Sequence, residues 1–282
     1  MPILGGVEFS GDWYQVWRAN VYSRTATRIL VRLGEFPAVH LSQLDKKARK
    51  FPWQKYLKAQ HPVRVEVVSR KSKIYHARAA AERIENAIVY SVGNRISQDA
   101  DICIKVRIEK NLVKISTGEG LHKRGYKSFT GKAPMRETLA AAFLRMCKFD
   151  PSQPLIDPMC GSGTFVIEAA EIAVGQAPGK RRAFSFQKFK SFDSNAFEML
   201  LIDQKIITKV ELHFLGYDRD NGAIKNSREN AQSANVSDIT NFNHQPISDL
   251  VPLSNQCGLI IFNPPYGARL GDKKSSMRCM LR

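Results

Sequence analysis

Apolar residues recur with two different spacings along the first half of the chain. Three segments alternate apolar with polar residues, which predicts strands with one buried face: 63–68, 101–109 and 112–117. The pair Lys110-Asn111 between the last two segments predicts a hairpin. Over 74–88 the apolar residues instead share one helical face, and a basic helix is predicted at 41–50, ended by Pro52.

From residue 137 onward the pattern changes. Short apolar runs without alternation end at Asp157, Asp218 and Phe262, and helices are predicted to follow the first two. Strands that are apolar on both faces are typical of parallel sheets covered by helices. The repeated strand–helix units therefore predict a doubly wound α/β sheet.

This change of pattern predicts two domains. A small α+β domain is expected at 1–125 and the α/β domain at 137–282, with a linker at 126–136. The stretch 121–134 supports the linker, because it combines glycine and basic residues with little periodicity. The basic and aromatic stretch 175–193 is predicted to be a loop over one rim of the second sheet.

Charge separates the two halves in the same way. The formal net charge is +17, and residues 1–150 hold 28 basic and 13 acidic side chains, against 15 and 13 in the rest. A polyanionic partner explains this imbalance, because each neutralised phosphate releases condensed counterions. Nucleic acid is favoured over a membrane surface, since the sequence shows no basic amphipathic helix with an aromatic face. A basic protein without such a partner is the alternative.

Several classes of protein are excluded by what the sequence lacks. The apolar runs are far below the ~20 residues of a membrane span, and the N-terminus has no signal-peptide pattern, so a cytoplasmic protein is expected. The five cysteines include no CxxC pair and no histidine at ligand spacing. Neither a disulfide framework nor a metal site is therefore expected, and the thiols are expected to be reduced and mostly buried.

The first candidate site is LIDPMCGSGTFVIEAA at 155–170. A strand ends at Asp157, a loop with Gly161 and Gly163 follows, and a helix begins. Such glycines let a ligand approach the backbone, and the helix N-terminus offers free N–H groups. The loop lacks the third glycine of a dinucleotide-binding motif, where Val166 stands, and it lacks the lysine of a P-loop. A plain strand–turn–helix corner is the structural alternative.

The second candidate site is GYDRD, which follows an apolar strand. Asp218 stands where a carboxylate can accept hydrogen bonds from both hydroxyls of a ribose. Capping of the next helix is the structural alternative for Asp218, and it is the preferred interpretation of Asp220.

The third candidate site is IIFNPPYG at 260–267. The side-chain oxygen of Asn263 and the carbonyl of Pro264 can hold an exocyclic NH₂ group, while Tyr266 stacks on the base. Pro264 and Pro265 make the turn rigid. A simple proline turn is the alternative, but all three motifs follow strands, and ligands of open α/β sheets bind at that edge.

The combination of DPMCGSG, GYDRD and NPPYG resembles class I S-adenosylmethionine-dependent methyltransferases that modify exocyclic amines. With LHKRGYK and APMRETLAAAFLR upstream, the chain is similar to the THUMP-containing RNA methyltransferases, especially the bacterial large-subunit ribosomal RNA guanine-N2 methyltransferases. The resemblance implies a Rossmann-like methyltransferase sheet preceded by a small α+β THUMP domain that binds RNA.

The resemblance also implies roles for individual residues. The cofactor, S-adenosylmethionine, would be bound by the glycine loop and the second strand end, through Asp157, Pro158, Cys160, Gly161, Gly163 and Asp218. The target base would be held by Asn263, Pro264, Pro265 and Tyr266. Independently of the resemblance, the charge of the first half predicts that residues 1–125, with Lys123, Arg124 and Lys127, supply most of the affinity for RNA.

The sequence departs from the family pattern in three places. Family members usually carry further residues before GGVEF, and here the chain begins almost at that strand. Pro246 stands where an acidic residue facing the cofactor adenine is expected, and Asp249 follows later. The chain ends at Arg282, soon after NPPYG, so the sheet is expected to lack its last strands and the chain to be truncated at both ends.

The implied function is methylation of the exocyclic amine of guanine in RNA, with ribosomal RNA as the expected partner and tRNA as an alternative. The amine would attack the sulfonium methyl in line, so positioning dominates and no cysteine nucleophile is needed. Two other functions stay open. DNA adenine methylation would also suit NPPY, and an incomplete sheet would leave an RNA-binding fragment without activity and with poor solubility.

Overall fold

The computed structural model describes residues 1–3, 5–127, 135–202, 214–251 and 257–264. The strands are β1 (Pro2–Ile3), β2 (Gly6–Val7), β3 (Val31–Pro37), β4 (Val63–Arg70), β5 (Ile102–Glu109), β6 (Leu112–Thr117), β7 (Leu155–Asp157), β8 (Phe214–Asp218), β9 (Thr240–His244) and β10 (Leu259–Ile260). The helices are α1 (Trp13–Tyr22), α2 (Leu41–Lys50), α3 (Ala77–Val92), α4 (Glu137–Met146), α5 (Thr164–Ala173), α6 (Ser194–Ile202) and α7 (Asn221–Ser233).

The described residues divide into two compact units. Unit 1 combines Met1–Val21 and Arg28–Gly120 with the described residues of Arg182–Asp203. Unit 2 combines Tyr22–Thr27 and Leu121–Arg181 with the described residues of Gln204–Arg282. Each unit therefore includes a segment from a part of the chain that the sequence assigns to the other domain. The predicted boundaries of the domains stay predictions.

Unit 1 contains a sheet with the strand order β3–β6–β5–β4, in which β4 and β5 are parallel and the other pairs antiparallel. The predicted strands and the hairpin between β5 and β6 are confirmed. Lys110 and Asn111 have φ of 51° and 65°, the left-handed values that the favoured two-residue hairpin turn requires. α3 buries Ile84 and Ile88 in the core, as its apolar face predicts.

The aromatic stretch that was predicted to be a rim loop of the second sheet belongs in part to unit 1. Phe189 is fully buried in the unit 1 core, and Phe184 and Phe186 stack with their ring centroids 4.9 Å apart. Trp17 of α1 packs edge-on against Phe197, with centroids 6.2 Å apart. Apart from the 3₁₀ turn Ser185–Lys188 the stretch is irregular, as a loop is. Its predicted place over the second sheet is wrong for residues 182–193, because long-range packing buries most of their aromatic rings in unit 1.

Unit 2 contains a parallel sheet with the strand order β10–β7–β8–β9, which confirms the predicted α/β class. Two consecutive strand–helix units run outward from β7 to β9, while β10 adds on the other side of β7. The topological switch therefore lies between β7 and β10. Ile260 and Phe262, predicted to be buried on both faces of the sheet, are exposed, and β10 lies at the end of the described sheet.

α5 carries two carboxylates into the interior of unit 2. Glu168 and Glu171 are fully buried. Arg24 contacts Glu168 at 2.7 Å, Arg124 contacts Glu168 at 3.3 Å, and Arg181 contacts Glu171 at 2.7 Å. Burial raises the pKa of Glu171, and Glu168 adds to the rise, while the arginines oppose it. We call these five residues the buried ionic network, which ties three separate segments of the chain to one helix.

Residues 121–127, predicted to form part of a linker, are packed into unit 2. Leu121, Arg124 and Tyr126 are buried. Burial also raises the pKa of the Tyr126 phenol well above its usual range. These residues are buried although their sequence is polar, because a polar sequence can be buried when its charges find internal partners. The linker at 126–136 stays a prediction. Residues 128–134 lie outside the described residues.

The burial of the cysteines and the length of the apolar helices can be compared with the expectations from the sequence. Cys103 and Cys160 are buried, whereas Cys147 and Cys257 are exposed, so the expectation of mostly buried thiols is wrong for half of the described cysteines. Cys279 lies outside the described residues. No helix in the described part of the chain is both long and apolar enough to cross a membrane.

Candidate active site

The carboxyl ends of the unit 2 strands bring the candidate motifs to one edge of the sheet. Asp157 ends β7, Asp218 ends β8, and Asn263 follows β10. β7 and β10 are parallel neighbours, and the amide of Ile261 donates to the carbonyl of Ile156 at 3.0 Å. Asn263 follows Ile261 by two residues, and Asp157 comes directly after Ile156. Both residues therefore lie at the topological switch, where such sheets bind ligands.

The glycine-rich loop between β7 and α5 is a tight turn. Gly161 and Gly163 have φ of 54° and 79°, left-handed values that favour glycine. A Cβ on Gly163 would lie 3.0 Å from the ring of Phe242, whereas a Cβ on Gly161 would find no atom within 4 Å. Gly163 is therefore required by packing, and Gly161 leaves open space beside the loop backbone. Pro158 and Cys160 in the same loop are buried.

Two contacts that sequence reasoning missed hold this loop. Asn230 of α7 donates from Nδ2 to the carbonyl of Ser162 at 3.1 Å, and the amide of Cys160 donates to the carbonyl of Tyr217 at 2.9 Å. The sequence held a signal only for the first contact: asparagine is unfavourable inside a helix unless its side chain has a partner, and Asn230 lies within the predicted helix. Burial raises the pKa of the Cys160 thiol, which disfavours the nucleophilic thiolate.

Asp157 is a buried carboxyl group, 2% exposed, at the end of β7. Its Oδ1 accepts a hydrogen bond from the amide of Met159 at 3.0 Å. Burial raises the pKa of Asp157 to about 7; the amide of Met159 opposes the rise and the neighbouring Asp218 adds to it. A cationic ligand group beside this carboxyl group would favour its charged form.

Asp218 and Asp220 have different roles. Asp218 accepts from the amide of Gly161 at Oδ2 and from the amide of Asp220 at Oδ1, both at 2.9 Å. Asp218 is only partly buried, and two of the roughly four acceptor positions of a carboxylate are then used. Asp220 accepts from the amides of Gly222 and Ala223, which confirms it as the N-cap of α7. Asp218 thus also anchors the glycine loop.

The Asn-Pro turn is described only in part. Asn263 is partly buried and Pro264 is exposed. Their acceptor oxygens follow β10 at the switch point, where the sequence predicts them. Pro265 and Tyr266 lie outside the described residues, so their predicted roles at the base stay predictions.

The segment after β9 is tied to Asp218. The amide of Gln245 donates to the carbonyl of Asp218 at 3.0 Å, and Nε2 of Gln245 donates to the carbonyl of Asp249 at 2.7 Å. Pro246, which stands where the family pattern has an acidic residue, immediately precedes the 3₁₀ turn Ile247–Asp249. The departure at Pro246 therefore lies beside the predicted ribose ligand.

The basic residues expected to contact RNA are not equally available. Lys123 is exposed, whereas Arg124 is 1% exposed and paired with a buried carboxylate. Nζ of Lys127 donates to Oγ1 of Thr164 at 2.9 Å and lies 3.6 Å from Glu137. The predicted RNA contacts of Arg124 and Lys127 are therefore corrected, because a cation with internal partners would have to leave them to meet a phosphate.

Three family models match the chain: an RlmL ferredoxin-like domain at 3–30, a THUMP domain at 38–117, and an RMKL-like methyltransferase domain at 124–280. The ribosomal RNA large subunit methyltransferase K/L of Vibrio cholerae is 33% identical over 96% of this chain. A protein of Synechocystis described as an RNA methyltransferase is 32% identical over 97% of this chain and 74% of its own length. The chain spans about 40% of the K/L relatives.

Solved structures show the same fold. A methyltransferase structure complexed with SAH has a TM-score of 0.82 at 28% identity, over 94% of this chain and 74% of that chain. A protein of Listeria monocytogenes described as an N6-adenine-specific DNA methylase has a TM-score of 0.81 at 30% identity, over 95% and 73%.

The fold and the site together define a Rossmann-like methyltransferase preceded by a THUMP domain. The chain belongs to the RMKL-like methyltransferase family, whose model covers more than half of it. The resemblance inferred from the sequence motifs is thereby confirmed.

Proposed function

We propose that this chain binds S-adenosylmethionine at the carboxyl edge of the unit 2 sheet and methylates the exocyclic amine of guanine in RNA. The observation that carries the proposal is that β7 and β10, neighbours at the topological switch, bring Asp157 and Asn263 to one edge beside the glycine loop. The K/L relatives support large-subunit ribosomal RNA as the substrate, since their names state that activity.

The residues of this edge fit the cofactor chemically. Asp157 suits the cationic amino group of the methionine part, and the unused acceptor positions of Asp218 suit the ribose hydroxyls. The open space at Gly161 lets a ligand reach the loop backbone. A related structure complexed with SAH supports S-adenosylmethionine as the cofactor.

The target amine would be positioned rather than activated. When bound, S-adenosylmethionine supplies an electrophilic methyl group. Asn263 and Pro264 would accept hydrogen bonds from the NH₂ group and keep the nitrogen lone pair directed into the site. The same two acceptors would stabilise the positive charge that develops on nitrogen. A base in duplex RNA would first have to leave the stack.

A methyl-transfer assay decides between the candidate functions. The 282-residue chain is incubated with labelled S-adenosylmethionine and unmodified large-subunit ribosomal RNA, tRNA or adenine-containing DNA, and the modified nucleosides are identified. We expect N2-methylguanosine in ribosomal RNA. The description of the Listeria relative favours N6-methyladenine as the second candidate product. Binding of RNA and cofactor without any transfer would identify the chain as an inactive RNA-binding fragment.

Asp218→Ala is expected to weaken S-adenosylmethionine binding by about 1–3 kcal/mol, the loss typical of hydrogen bonds to charged groups. Asp220→Ala is the matched control, because it removes a carboxylate only two residues away that caps α7. The control should lower helix stability by about 1 kcal/mol and leave the affinity nearly unchanged. Isothermal titration calorimetry measures the affinity of both variants for S-adenosylmethionine. Loss of binding in the Asp220 variant alone would reverse the assignment.

The affinity for S-adenosylmethionine is expected to fall as the pH drops below about 7. The pKa of Asp157 is raised to about 7, so below that pH the carboxyl group must lose a proton before it can pair with a cation. The affinity should then fall by up to roughly tenfold per pH unit. Calorimetry between pH 5.5 and 7 in buffers of different ionisation enthalpy measures the released proton. An Asp157→Asn variant should bind weakly without this proton release.

A further inference from the structure

Two loops of unit 1 are joined into one surface by hydrogen bonds between them. The amide of Lys73 donates to Oδ1 of Asn111 at 2.9 Å, and the amide of Asn111 donates to Oγ of Ser72 at 3.0 Å. The amide of Lys110 donates to the carbonyl of Arg70 at 3.4 Å. The loop after β4 and the turn of the β5–β6 hairpin therefore hold each other in place. We call residues 70–76 with 110–111 the two-loop surface.

The two-loop surface carries four exposed cations: Arg70, Lys71, Lys73 and Lys110. Within the described part of the chain, none of the four forms an ion pair. Glu109 beside them is paired with Arg107, which lowers its pKa most, and Arg70 and Lys110 lower it further. These two cations thus stand close to one carboxylate that another arginine already neutralises.

Some other cations of the same unit are neutralised locally. Arg64 and Lys105 share Glu66, and Arg78 faces Glu82 at 3.5 Å. The two-loop surface differs from these pairs, because its four cations, unpaired among the described residues, lie on two loops that hydrogen bonds join. Several phosphates could therefore be neutralised at one place, with release of their counterions.

An exposed aromatic ring lies on the same surface. Tyr75 is 74% exposed, and its ring centroid lies 4.1 Å from that of His76. Ile74 next to it is buried and its carbonyl accepts from the hydroxyl of Ser69, so the backbone that carries Tyr75 is anchored. Aromatic rings beside cations are the usual platform for unstacked nucleotide bases.

We propose that the two-loop surface binds a single-stranded segment of the RNA substrate, with phosphates on its cations and one base stacked on Tyr75. The proposal rests on the proposed function, which supplies an RNA substrate. A lipid surface would need a larger apolar area than one tyrosine ring, and an acidic peptide would have no use for an exposed stacking face. Because the two loops already hold each other in place, little of their backbone has to be ordered when RNA binds. The entropic cost of binding is therefore small.

Matched variants test the surface on the intact chain. Tyr75→Ala is compared with Tyr90→Ala, because Tyr90 is equally exposed on α3 with Arg49 over its ring. The double variant Lys71→Glu, Lys73→Glu is compared with Lys46→Glu, Lys50→Glu on α2, which makes the same change of charge at exposed positions. Fluorescence anisotropy measures binding of a labelled single-stranded ribosomal RNA fragment and of a duplex of the same length.

Tyr75→Ala should weaken single-strand binding about tenfold and leave duplex binding nearly unchanged, because only an unstacked base can stack on the ring. The double lysine variant should make the log–log salt slope shallower by about 1.4, the loss of two phosphate contacts on a single strand. The α2 and Tyr90 controls should change neither.

The outcomes separate this proposal from the proposed function. If both surface variants behave like their controls while the wild-type chain still binds RNA, the two-loop surface is not the site and the proposed function stands. If Tyr75→Ala lost equal affinity for the single strand and for the duplex, the proposal that a base stacks on Tyr75 would be wrong. If the wild-type chain binds S-adenosylmethionine but no RNA at any salt concentration, the proposal that RNA is the substrate is wrong.

Discussion

Asn263→Ala is expected to lower the rate of methyl transfer by about 100-fold or more, the effect typical of losing one preorganised polar group at a reacting centre. The variant keeps Asp157, Asp218 and the glycine loop, so the affinity for S-adenosylmethionine should stay within about twofold. The reason is that Asn263 follows β10, across the switch point from these proposed cofactor ligands. Single-turnover transfer and calorimetry measure the two quantities separately.

Asn241→Ala is the matched control for this experiment. Asn241 is an exposed residue near the amino end of β9, in the same sheet but away from the carboxyl edge. The control should transfer methyl groups at the wild-type rate. Equal activity of the two variants would show that Asn263 does not hold the target amine. A joint loss of cofactor affinity and activity in Asn263→Ala would place this residue in the cofactor site instead.

Glu168→Ala is expected to destabilise unit 2 by about 3–5 kcal/mol, because it leaves the buried Arg124 and the partly buried Arg24 without this carboxylate. Arg24 and Arg124 both pair with Glu168, and Arg124 is fully buried. Alanine keeps the helix propensity of α5, so a loss of this size would come from the network. Since α5 begins directly after Gly163, the affinity for the cofactor should fall with the stability of the unit.

Glu82→Ala is the control for the network, because Glu82 forms an exposed pair with Arg78 and should contribute less than about 1 kcal/mol. All three tryptophans, Trp13, Trp17 and Trp53, lie in unit 1, so their fluorescence does not report on unit 2. Hydrogen exchange of the α5 amides in urea follows unit 2 directly. Unchanged protection of α5 in Glu168→Ala would contradict the expected role of the network.

The local elements were largely predictable from the sequence, since they depend on spacing alone. The alternation over 63–68 and the turn at Lys110-Asn111 specify a strand and a hairpin without reference to distant residues. The same holds for Asp220, whose side chain caps the helix that begins one residue later. The order of the three motifs, each after a strand, was sufficient to predict that they meet at one edge of the sheet.

Two of the misassignments involve basic side chains that have internal partners. Arg124 and Lys127 looked like RNA ligands because a basic cluster in a glycine-rich stretch is usually exposed. Their partners, Glu168 and Thr164, lie about 40 residues further along the chain, and no local pattern announces such pairs. For the same reason, nothing in the sequence around Phe189 indicates that its ring completes the core of the first unit.

Periodicity, turn chemistry and motif order in the sequence were therefore enough to establish the α/β sheet and the family, and to predict which edge of the sheet binds the ligand. These features act over a few residues, or follow from the rule that parallel strands share one carboxyl edge. The tertiary structure was needed to show that Asp157 is buried enough to raise its pKa to about 7 and that Asp218 holds the glycine loop. It was also needed to find the free cations of the first unit. Burial, pKa and the pairing of charges depend on which distant groups come together, and a linear pattern of residues does not contain that information.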